Sequence, residues 1–200
     1  MNDFLNESSP AETLAFLAGQ IRLCRNCDLC LQRKQAVPGE GNPEARILLV
    51  GEGPGATEDE TGRPFVGAAG QFLERMLADI GLGRGDVFIG NITKCRPPGN
   101  RDPLPEEIEA CAPWLRAQIR AINPRVICTL GRFAMNALIS PALQISKAHG
   151  QPVEQDGVLY IPLFHPAAAL HQQSLETTLI EDMRKVREEL RARELWEEVH

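Results

Sequence analysis

The stretch Ile47-Leu48-Leu49-Val50-Gly51-Glu52-Gly53-Pro54-Gly55 joins an apolar run directly to a turn with three glycines. An apolar run without polar alternation is typical of a strand covered on both faces, as in a parallel sheet. Glycines at the carboxyl end of such a strand permit close approach of a ligand to the backbone. A tight turn without a ligand is the alternative. The turn lacks the Gly-Lys-Ser/Thr of a P-loop, and Pro54 interrupts the dinucleotide spacing, so we expect no nucleotide cofactor.

Three further apolar, β-rich runs follow at wide intervals, and stretches with helical periodicity separate them. This order predicts a three-layer α/β/α fold with a central, mainly parallel four-stranded sheet, in a single domain over residues 1–200. The predicted strands are 47–50, 87–89, 126–130 and 158–161. Helices are predicted from the N-cap Ser9 after a loose segment over 1–8, over about 72–80, from Pro105, over about 132–139 and over 177–197.

Composition is that of an ordinary globular protein. The chain has 200 residues, of which 43% are hydrophobic and 24% charged, enough to bury a core of its own. The sequence has no run of eighteen apolar residues and no secretory signal at Met1-Asn2-Asp3-Phe4, so we expect a cytoplasmic location and no membrane partner. The formal net charge of −6, from 27 acidic and 21 basic residues, taken alone argues weakly against a nucleic-acid partner.

Cysteines are the second global feature, and there are six: Cys24, Cys27, Cys30, Cys95, Cys111 and Cys128. In a reducing compartment, clustered cysteines more often hold a metal than form disulfides. The two overlapping C-x2-C pairs over 24–30 suit zinc and an iron–sulfur cluster equally, and their spacing alone nominates all three thiols together. Cys128 falls inside a predicted strand, where a small buried side chain is expected.

Two polar loops come directly after predicted strands. Residues 91–101, which begin with Asn91, hold three basic residues and no acid, and His165-Pro166-Ala167-Ala168-Ala169-Leu170 follows the last strand. Because the carboxyl ends of parallel strands meet at one edge, we expect Asn91, His165 and the glycine turn to lie together. There His165 can donate a hydrogen bond to a developing anion. Ordinary turn and loop roles are the alternatives.

Together these segments resemble the family 4 uracil-DNA glycosylases, the iron–sulfur-containing branch of the uracil-DNA glycosylase superfamily. The resemblance covers about residues 20–190. It rests on Cys24-x-x-Cys27, the glycine turn, Thr61-Gly62-Arg63-Pro64-Phe65-Val66-Gly67, Asn91-Ile-Thr-Lys-Cys95-Arg-Pro-Pro, Cys111 and the segment 165–170. It implies that the protein binds uracil-containing DNA, single- or double-stranded, and hydrolyses the N-glycosidic bond in base excision repair.

The resemblance also implies roles for individual residues. A [4Fe-4S] cluster would be held by Cys24, Cys27, Cys95 and Cys111, which leaves Cys30 as an extra thiol. The implied catalytic residues are Glu52 and His165. Uracil would be bound by Gly51, Gly53, Pro54, Gly55, Glu58, Phe65 and Asn91. DNA would be contacted by Lys94, Arg96, Arg101 and Leu170.

These roles follow the chemistry of base excision. Phe65 would stack on the flipped base, and Asn91 would pair with its O4 and N3–H. Glu58 would crowd the C5 edge and exclude the methyl group of thymine. Glu52 would position or activate water, while His165 and backbone N–H groups of the glycine turn would stabilise the uracil anion. Leu170 would fill the space left by the flipped nucleotide.

Three alternatives stay open. A covalent uracil-trapping relative carries a nucleophilic histidine between the Asn91 region and the Cys111 helix, but the interval 97–103 has none here, which predicts turnover. A non-catalytic, cluster-bearing DNA-binding module is the second. A zinc-containing α/β protein with an unrelated small ligand is the third. The oligomeric state cannot be predicted from this pattern.

Overall fold

A computed structural model describes residues 8–196, and its strands form one six-stranded sheet. The strands are β1 (Glu40–Gly41), β2 (Ile47–Gly51), β3 (Phe88–Asn91), β4 (Val126–Leu130), β5 (Val153–Gln155) and β6 (Val158–Leu163). Their spatial order is β1-β3-β2-β4-β6-β5. The central strands β3, β2, β4 and β6 are mutually parallel, and β1 and β5 pair antiparallel at the two edges.

Helices cover both faces of this sheet. They are α1 (Pro10–Leu23), α2 (Ala56–Thr61), α3 (Ala68–Asp79), α4 (Pro105–Ile122), α5 (Arg132–Leu138), α6 (Ile145–Ala148), α7 (Pro166–Ala169) and α8 (Gln173–Ala192). Short 3-10 turns occur at Asp28–Leu31 and Pro98–Asn100. In the part of the chain that the structure describes, none of the helices has the length and apolar character needed to cross a membrane.

The start of the first helix agrees with its predicted cap, whereas both ends of the last helix differ from the prediction. Ser9 caps α1 through a capping box with Glu12, as predicted. The last helix begins at Gln173 rather than at 177, and it ends at Ala192 rather than at 197. It stops because Glu194 adopts a left-handed φ of 58° and the Leu195 N–H donates to the Leu190 carbonyl 2.8 Å away. Of the predicted loose segment, residues 1–7 lie outside the described residues.

The predicted four-stranded sheet is wrong in its count, because two short edge strands add to it. The strand β1 has only two residues, Glu40 and Gly41, neither of which favours a strand by itself. The strand β5 is joined to β6 by Asp156-Gly157, whose φ values of 51° and 76° are both positive. Asp-Gly is a strong signal for a two-residue hairpin, and it was available in the sequence.

Successive residues of the central strands fill two separate cores, since strand side chains alternate between the faces of a sheet. Leu48 of β2 packs in a cluster that includes residues of α1 and α4, among them Leu115. Its neighbour Leu49 packs on the other face with Leu73 of α3 and Leu179 of α8. The near-continuous apolar runs therefore reflect a sheet covered on both faces, and the predicted α/β/α layers are confirmed.

Two helical glycines provide a matched test of this packing. A Cβ on Gly70 of α3 would lie 1.8 Å from the carbonyl oxygen of Phe65, whereas a Cβ on Gly19 of α1 would meet nothing within 4 Å. We therefore expect Gly70→Ala to lower the free energy of unfolding by about 1–3 kcal/mol. Gly19→Ala should raise it by about 0.5–1 kcal/mol, the usual helix preference for alanine. Urea denaturation of both variants measures the difference, and a stabilising Gly70→Ala would contradict this packing.

Candidate active site

A cavity of about 320 Å³ opens at the carboxyl edge of the sheet, where β2, β3 and β6 end. Most of the predicted uracil-binding residues line it, namely Gly53, Pro54, Gly55, Glu58, Phe65 and Asn91, whereas Gly51 lies outside the lining. Both predicted catalytic residues, Glu52 and His165, and the predicted DNA contact Arg101 also line it. The wall also includes Pro97 and Asn100, which the sequence interpretation left without a role although they lie in the quoted loop. The convergence expected from a parallel sheet is thus observed.

Gly51 is the point against which two predicted site residues pack. A Cβ there would lie 2.5 Å from Asn91 Oδ1 and 2.6 Å from Phe65 Cζ, distances too short for any side chain. The register of the sheet explains the first contact, because Gly51 of β2 is paired with Asn91 of β3. Gly53 is similarly close to Thr93, whose Oγ1 would lie 2.5 Å from a Cβ.

Asn91 ends β3 with its side chain buried, 1% exposed, in the wall of the cavity. Its Oδ1 has no hydrogen-bond partner among residues 8–196. A buried acceptor without a donor costs about 1–3 kcal/mol, so this oxygen favours a ligand with an N–H at that point.

Phe65 lies on a turn with unusual backbone geometry. Its φ is 50°, a left-handed conformation that is rare for a bulky residue, and its ring is buried. The carboxylate of Glu58 holds the following residues, since its Oε1 accepts from the N–H groups of Val66 and Gly67 at 2.9 and 2.8 Å. The Oε2 of Glu58 accepts from Gly55 N at 3.1 Å. Glu58 therefore ties the glycine turn to the Phe65 turn.

His165 follows β6 and caps the short helix α7. Its Nδ1 accepts a hydrogen bond from Ala167 N at 3.2 Å, so the proton of the neutral ring is on Nε2. Burial lowers the pKa of His165 to about 4, against a smaller opposing effect of Glu58. The ring centroid lies 5.7 Å from that of Phe65. At neutral pH the site thus holds an uncharged N–H donor.

Glu52 is half-buried at the start of the glycine turn. Burial raises its pKa, the charge of Asp102 raises it further, and the charge of Arg132 lowers it. Arg132 Nη2 lies 2.5 Å from Asp102 Oδ2, so the two opposing charges form an ion pair near Glu52. The Glu52 carbonyl is fixed by Thr93, whose N–H donates at 3.0 Å.

The predicted phosphate contact of Lys94 is wrong. Its side chain is 1% exposed, and Nζ donates to Asn91 O at 2.9 Å and to Gln118 Oε1 at 2.7 Å. Burial lowers the pKa of Lys94 to about 8, partly opposed by the nearby Cys111. The resemblance implies a surface cation at this position, but this loop folds inward and uses the ammonium group to bind backbone and amide oxygens.

The other predicted DNA contacts remain at the surface. Arg101 is exposed at the edge of the cavity and forms a two-point ion pair with Glu107, with distances of 2.6 and 2.9 Å. Arg96 donates from Nε to Asn100 Oδ1 at 2.7 Å. Leu170 is 45% exposed at the end of α7, five residues after His165.

A second cavity is lined by five thiols, those of Cys24, Cys27, Cys30, Cys95 and Cys111. Over residues 8–196, no group of three or more His, Cys, Asp or Glu side chains is placed to hold a metal ion. The thiols instead line the wall of a common cavity, as the ligands of a multi-atom cluster do. Cys128 is fully buried in β4, and burial raises its pKa to about 12, which confirms it as a structural side chain.

Three N–H donors point at the sulfur atoms of this cavity. Arg33 Nη1 lies 3.0 Å from Cys95 Sγ, Trp114 Nε1 lies 3.3 Å from Cys24 Sγ, and Lys94 N lies 3.2 Å from Cys111 Sγ. Such donors stabilise negative charge on sulfur, so the donor set fits an iron–sulfur cluster. Arg33 and Trp114 were not predicted, and no local motif marks them, because they reach the sulfurs from distant parts of the chain.

Comparison with known proteins places this fold among the uracil-DNA glycosylases. The model of the family described as "Uracil DNA glycosylase superfamily" matches residues 38–191. A type-4 uracil-DNA glycosylase from Saccharolobus solfataricus is 45% identical over 188 residues, covering 90% of this chain and 87% of that protein. Type-4 uracil-DNA glycosylases from Archaeoglobus fulgidus (46% identical; 88% of this chain and 93% of that protein) and Thermotoga maritima (44%; 88% and 94%) also match.

The chain therefore belongs to the uracil-DNA glycosylase superfamily, in its type-4 branch, and the resemblance drawn from the sequence is confirmed.

The His165 environment predicts how its ring titrates. Because burial favours the neutral ring, we expect ¹⁵N NMR to show the Nε2–H tautomer at pH 7 and no protonation of His165 between pH 8 and 5.5. In denaturant the same ring should titrate near its ordinary pKa of about 6.5. The pKa of His165 is lower in the folded protein than in the unfolded chain. The free energy of unfolding therefore decreases as the pH falls from about 6.5 towards 4, because only the unfolded chain binds the proton in this range. Protonation near pH 6.5 in the folded protein would contradict a desolvated, neutral ring.

Proposed function

We propose that this chain is a uracil-DNA glycosylase, which acts as a single domain, takes uracil out of DNA and hydrolyses its N-glycosidic bond to leave an abasic site in base excision repair. The observation that carries this proposal is the unpaired, buried Oδ1 of Asn91 in a cavity that also contains Phe65 and His165. The type-4 uracil-DNA glycosylases that match most of the chain support it. We further propose a cytoplasmic location, in association with the nucleoid when the protein acts on DNA.

Asn91 would select uracil by its hydrogen-bonding pattern. Uracil offers an N3–H donor to the unpaired Oδ1 and an O4 acceptor to the side-chain NH₂. Cytosine has the opposite pattern, with an acceptor at N3 and a donor at position 4. It would leave buried polar groups on both sides unpaired, a discrimination worth several orders of magnitude in rate.

Phe65 would provide the stacking surface for the flipped base. Removing uracil from the duplex costs a few kcal/mol, and stacking on an aromatic ring returns about 1–3 kcal/mol. We further propose that Glu58 supports this surface by accepting hydrogen bonds from the Val66 and Gly67 N–H groups. Its carboxylate would also narrow the cavity beside the C5 edge of uracil, where thymine carries its methyl group. Gly53 and Pro54 would complete the wall, while Gly51 would act from behind it by leaving room for Asn91 and Phe65.

His165 would stabilise the leaving group. As the C1′–N1 bond breaks, negative charge develops on uracil, and the Nε2–H of a neutral imidazole can donate to it without losing its own proton. A histidine that is already neutral does not depend on pH for this role above pH 6. The glycine turn contributes less than the sequence suggested, because the Gly55 N–H is engaged by Glu58.

Glu52 would act on the other side of the bond. Its carboxylate lines the cavity and, when ionised, can orient a water molecule and favour the positive charge that develops on the sugar. The raised pKa of this carboxyl suits a group that accepts a proton from water. The ion pair of Asp102 with Arg132 lies close enough to adjust that pKa.

The DNA strand would pass over the edge of this cavity. Arg96 and Arg101 lie on the loop after β3, where they can contact phosphates, and Leu170 can enter the stack as the base leaves. Lys94 has no part in this surface because it is buried.

We propose that Cys24, Cys27, Cys95 and Cys111 hold a [4Fe-4S] cluster, the ligand set that the resemblance implies. The thiol-lined cavity, which also includes Cys30, and its N–H donors support a cluster at this place. When bound, the cluster would link the segment after α1 to the loop after β3. Purified anaerobically, the protein should be brown and contain about four iron and four sulfide per chain. Cys111→Ala should lose most of the iron and Cys128→Ala should keep it. A colourless protein with stoichiometric zinc would overturn the proposal.

The activity is tested on a labelled oligonucleotide with a single uracil. Wild-type protein should produce alkali-labile abasic sites over many turnovers, and a matched oligonucleotide with cytosine should stay intact. His165→Ala should reduce the single-turnover rate at least 100-fold, the usual cost of one such donor, with little change in DNA affinity. Intact DNA after incubation with cluster-loaded protein would reject the proposal, and an SDS-resistant adduct would mean trapping rather than turnover.

A further inference from the structure

We propose that Arg84, which lies outside every motif quoted above, is a positioning residue that sets the Phe65 ring for uracil. The inference rests on the proposed function, because it concerns the surface on which uracil stacks. Arg84 lies in the loop between α3 and β3, and its side chain is only 20% exposed.

The guanidinium of Arg84 binds two successive backbone carbonyls, one before and one after the Cα of Phe65. Nη1 donates to Phe65 O at 2.8 Å, and Nη2 donates to Pro64 O at 2.7 Å. The same Nη2 lies 2.6 Å from Glu40 Oε1, which orients the group. A planar fork can reach two successive carbonyls at once, and an ammonium group cannot.

The turn needs such support because its backbone is strained. Phe65 has a φ of 50°, and a non-glycine residue in the left-handed region costs of order 1–3 kcal/mol. Arg84 holds the carbonyls of this turn, and Glu58 holds the N–H groups that follow. Gly70 packs against the Phe65 carbonyl from below. The direction of the Phe65 ring is therefore set by the contacts of Arg84, Glu58 and Gly70 with its turn. Among residues 8–196, Arg84 is the only one of these that donates from a charged group.

The short edge strand β1 positions the carboxylate that orients Arg84. It carries Glu40, whose carboxylate also accepts from Arg63 at 2.8 and 2.9 Å. Although burial opposes it, hydrogen bonds from Arg63 and Arg84 lower the pKa of Glu40, so the carboxylate is ionised when it orients Arg84. Arg63 shares this partner but is 59% exposed and has no contact with the Phe65 carbonyl.

The test compares Arg84→Met with Arg63→Met, since both remove a cation from Glu40 and only the first releases Phe65. Arg84→Met also removes a 3.3 Å ion pair with the half-exposed Glu74, which as a surface pair contributes little. For Arg84→Met, we expect the single-turnover rate at saturating uracil-DNA to fall about 5- to 150-fold, the range that base stacking spans. The inhibition constant of free uracil should rise by a similar factor, while affinity for undamaged DNA stays unchanged. Arg63→Met should match the wild type in all three measurements.

A double-mutant cycle separates positioning from a general loss of structure. If Arg84 acts through the ring, Arg84→Met should add little to the defect of Phe65→Ala. Full additivity, or an Arg84→Met variant that behaves like Arg63→Met, would overturn the inference. If Arg84→Met does not fold, Arg84→Lys replaces it in the cycle, because it keeps the charge beside Glu40 but cannot span both carbonyls. Absence of uracil release from the wild type would instead reject the proposed function.

Discussion

The approach of Asn91 and Phe65 over Gly51 is the contact on which the site depends. Parallel pairing sets Gly51 opposite Asn91, and the missing side chain leaves room for the amide and the ring. The strained Phe65 turn is then held by Glu58. His165 completes the group from the end of β6, with its ring centroid 5.7 Å from that of Phe65. Any larger residue at position 51 would push apart Asn91 and Phe65, which both line the cavity.

The buried Lys94 connects the thiol-lined cavity to Asn91. Its backbone N–H donates to Cys111 Sγ, and its ammonium group donates to the Asn91 carbonyl. A buried ammonium group is costly unless its donors are satisfied, so the atoms around Lys94 are held in fixed positions. Gln118 extends the link, since it accepts from Lys94 and donates to Pro38 O at 2.8 Å. Lys94 thus connects the cysteine region to Asn91 through two hydrogen bonds, one from its backbone and one from its side chain.

The net charge of −6 is a property of the whole chain and not of the surface near the cavity. Several of its acids are internal: Asp59, Glu107 and Asp182 are only 3%, 4% and 1% exposed. Glu107 is paired with Arg101 and Asp182 with Lys185. The charge sum therefore carries little information about DNA, because the field at a surface depends on which charges reach it. The motifs, rather than the composition, were the better guide to the partner.

Local sequence alone was enough to identify the four central strands, the Ser9 cap, the convergence of three loops and most residues of the cavity, because apolar runs and turn residues act over a few positions. The strand β1, the burial of Lys94 and the clamp of Arg84 on Phe65 were decided only by the tertiary structure. Each depends on partners distant in the chain. A lysine or an arginine has the same local pattern whether it faces solvent or a backbone carbonyl, and only the folded neighbours determine which.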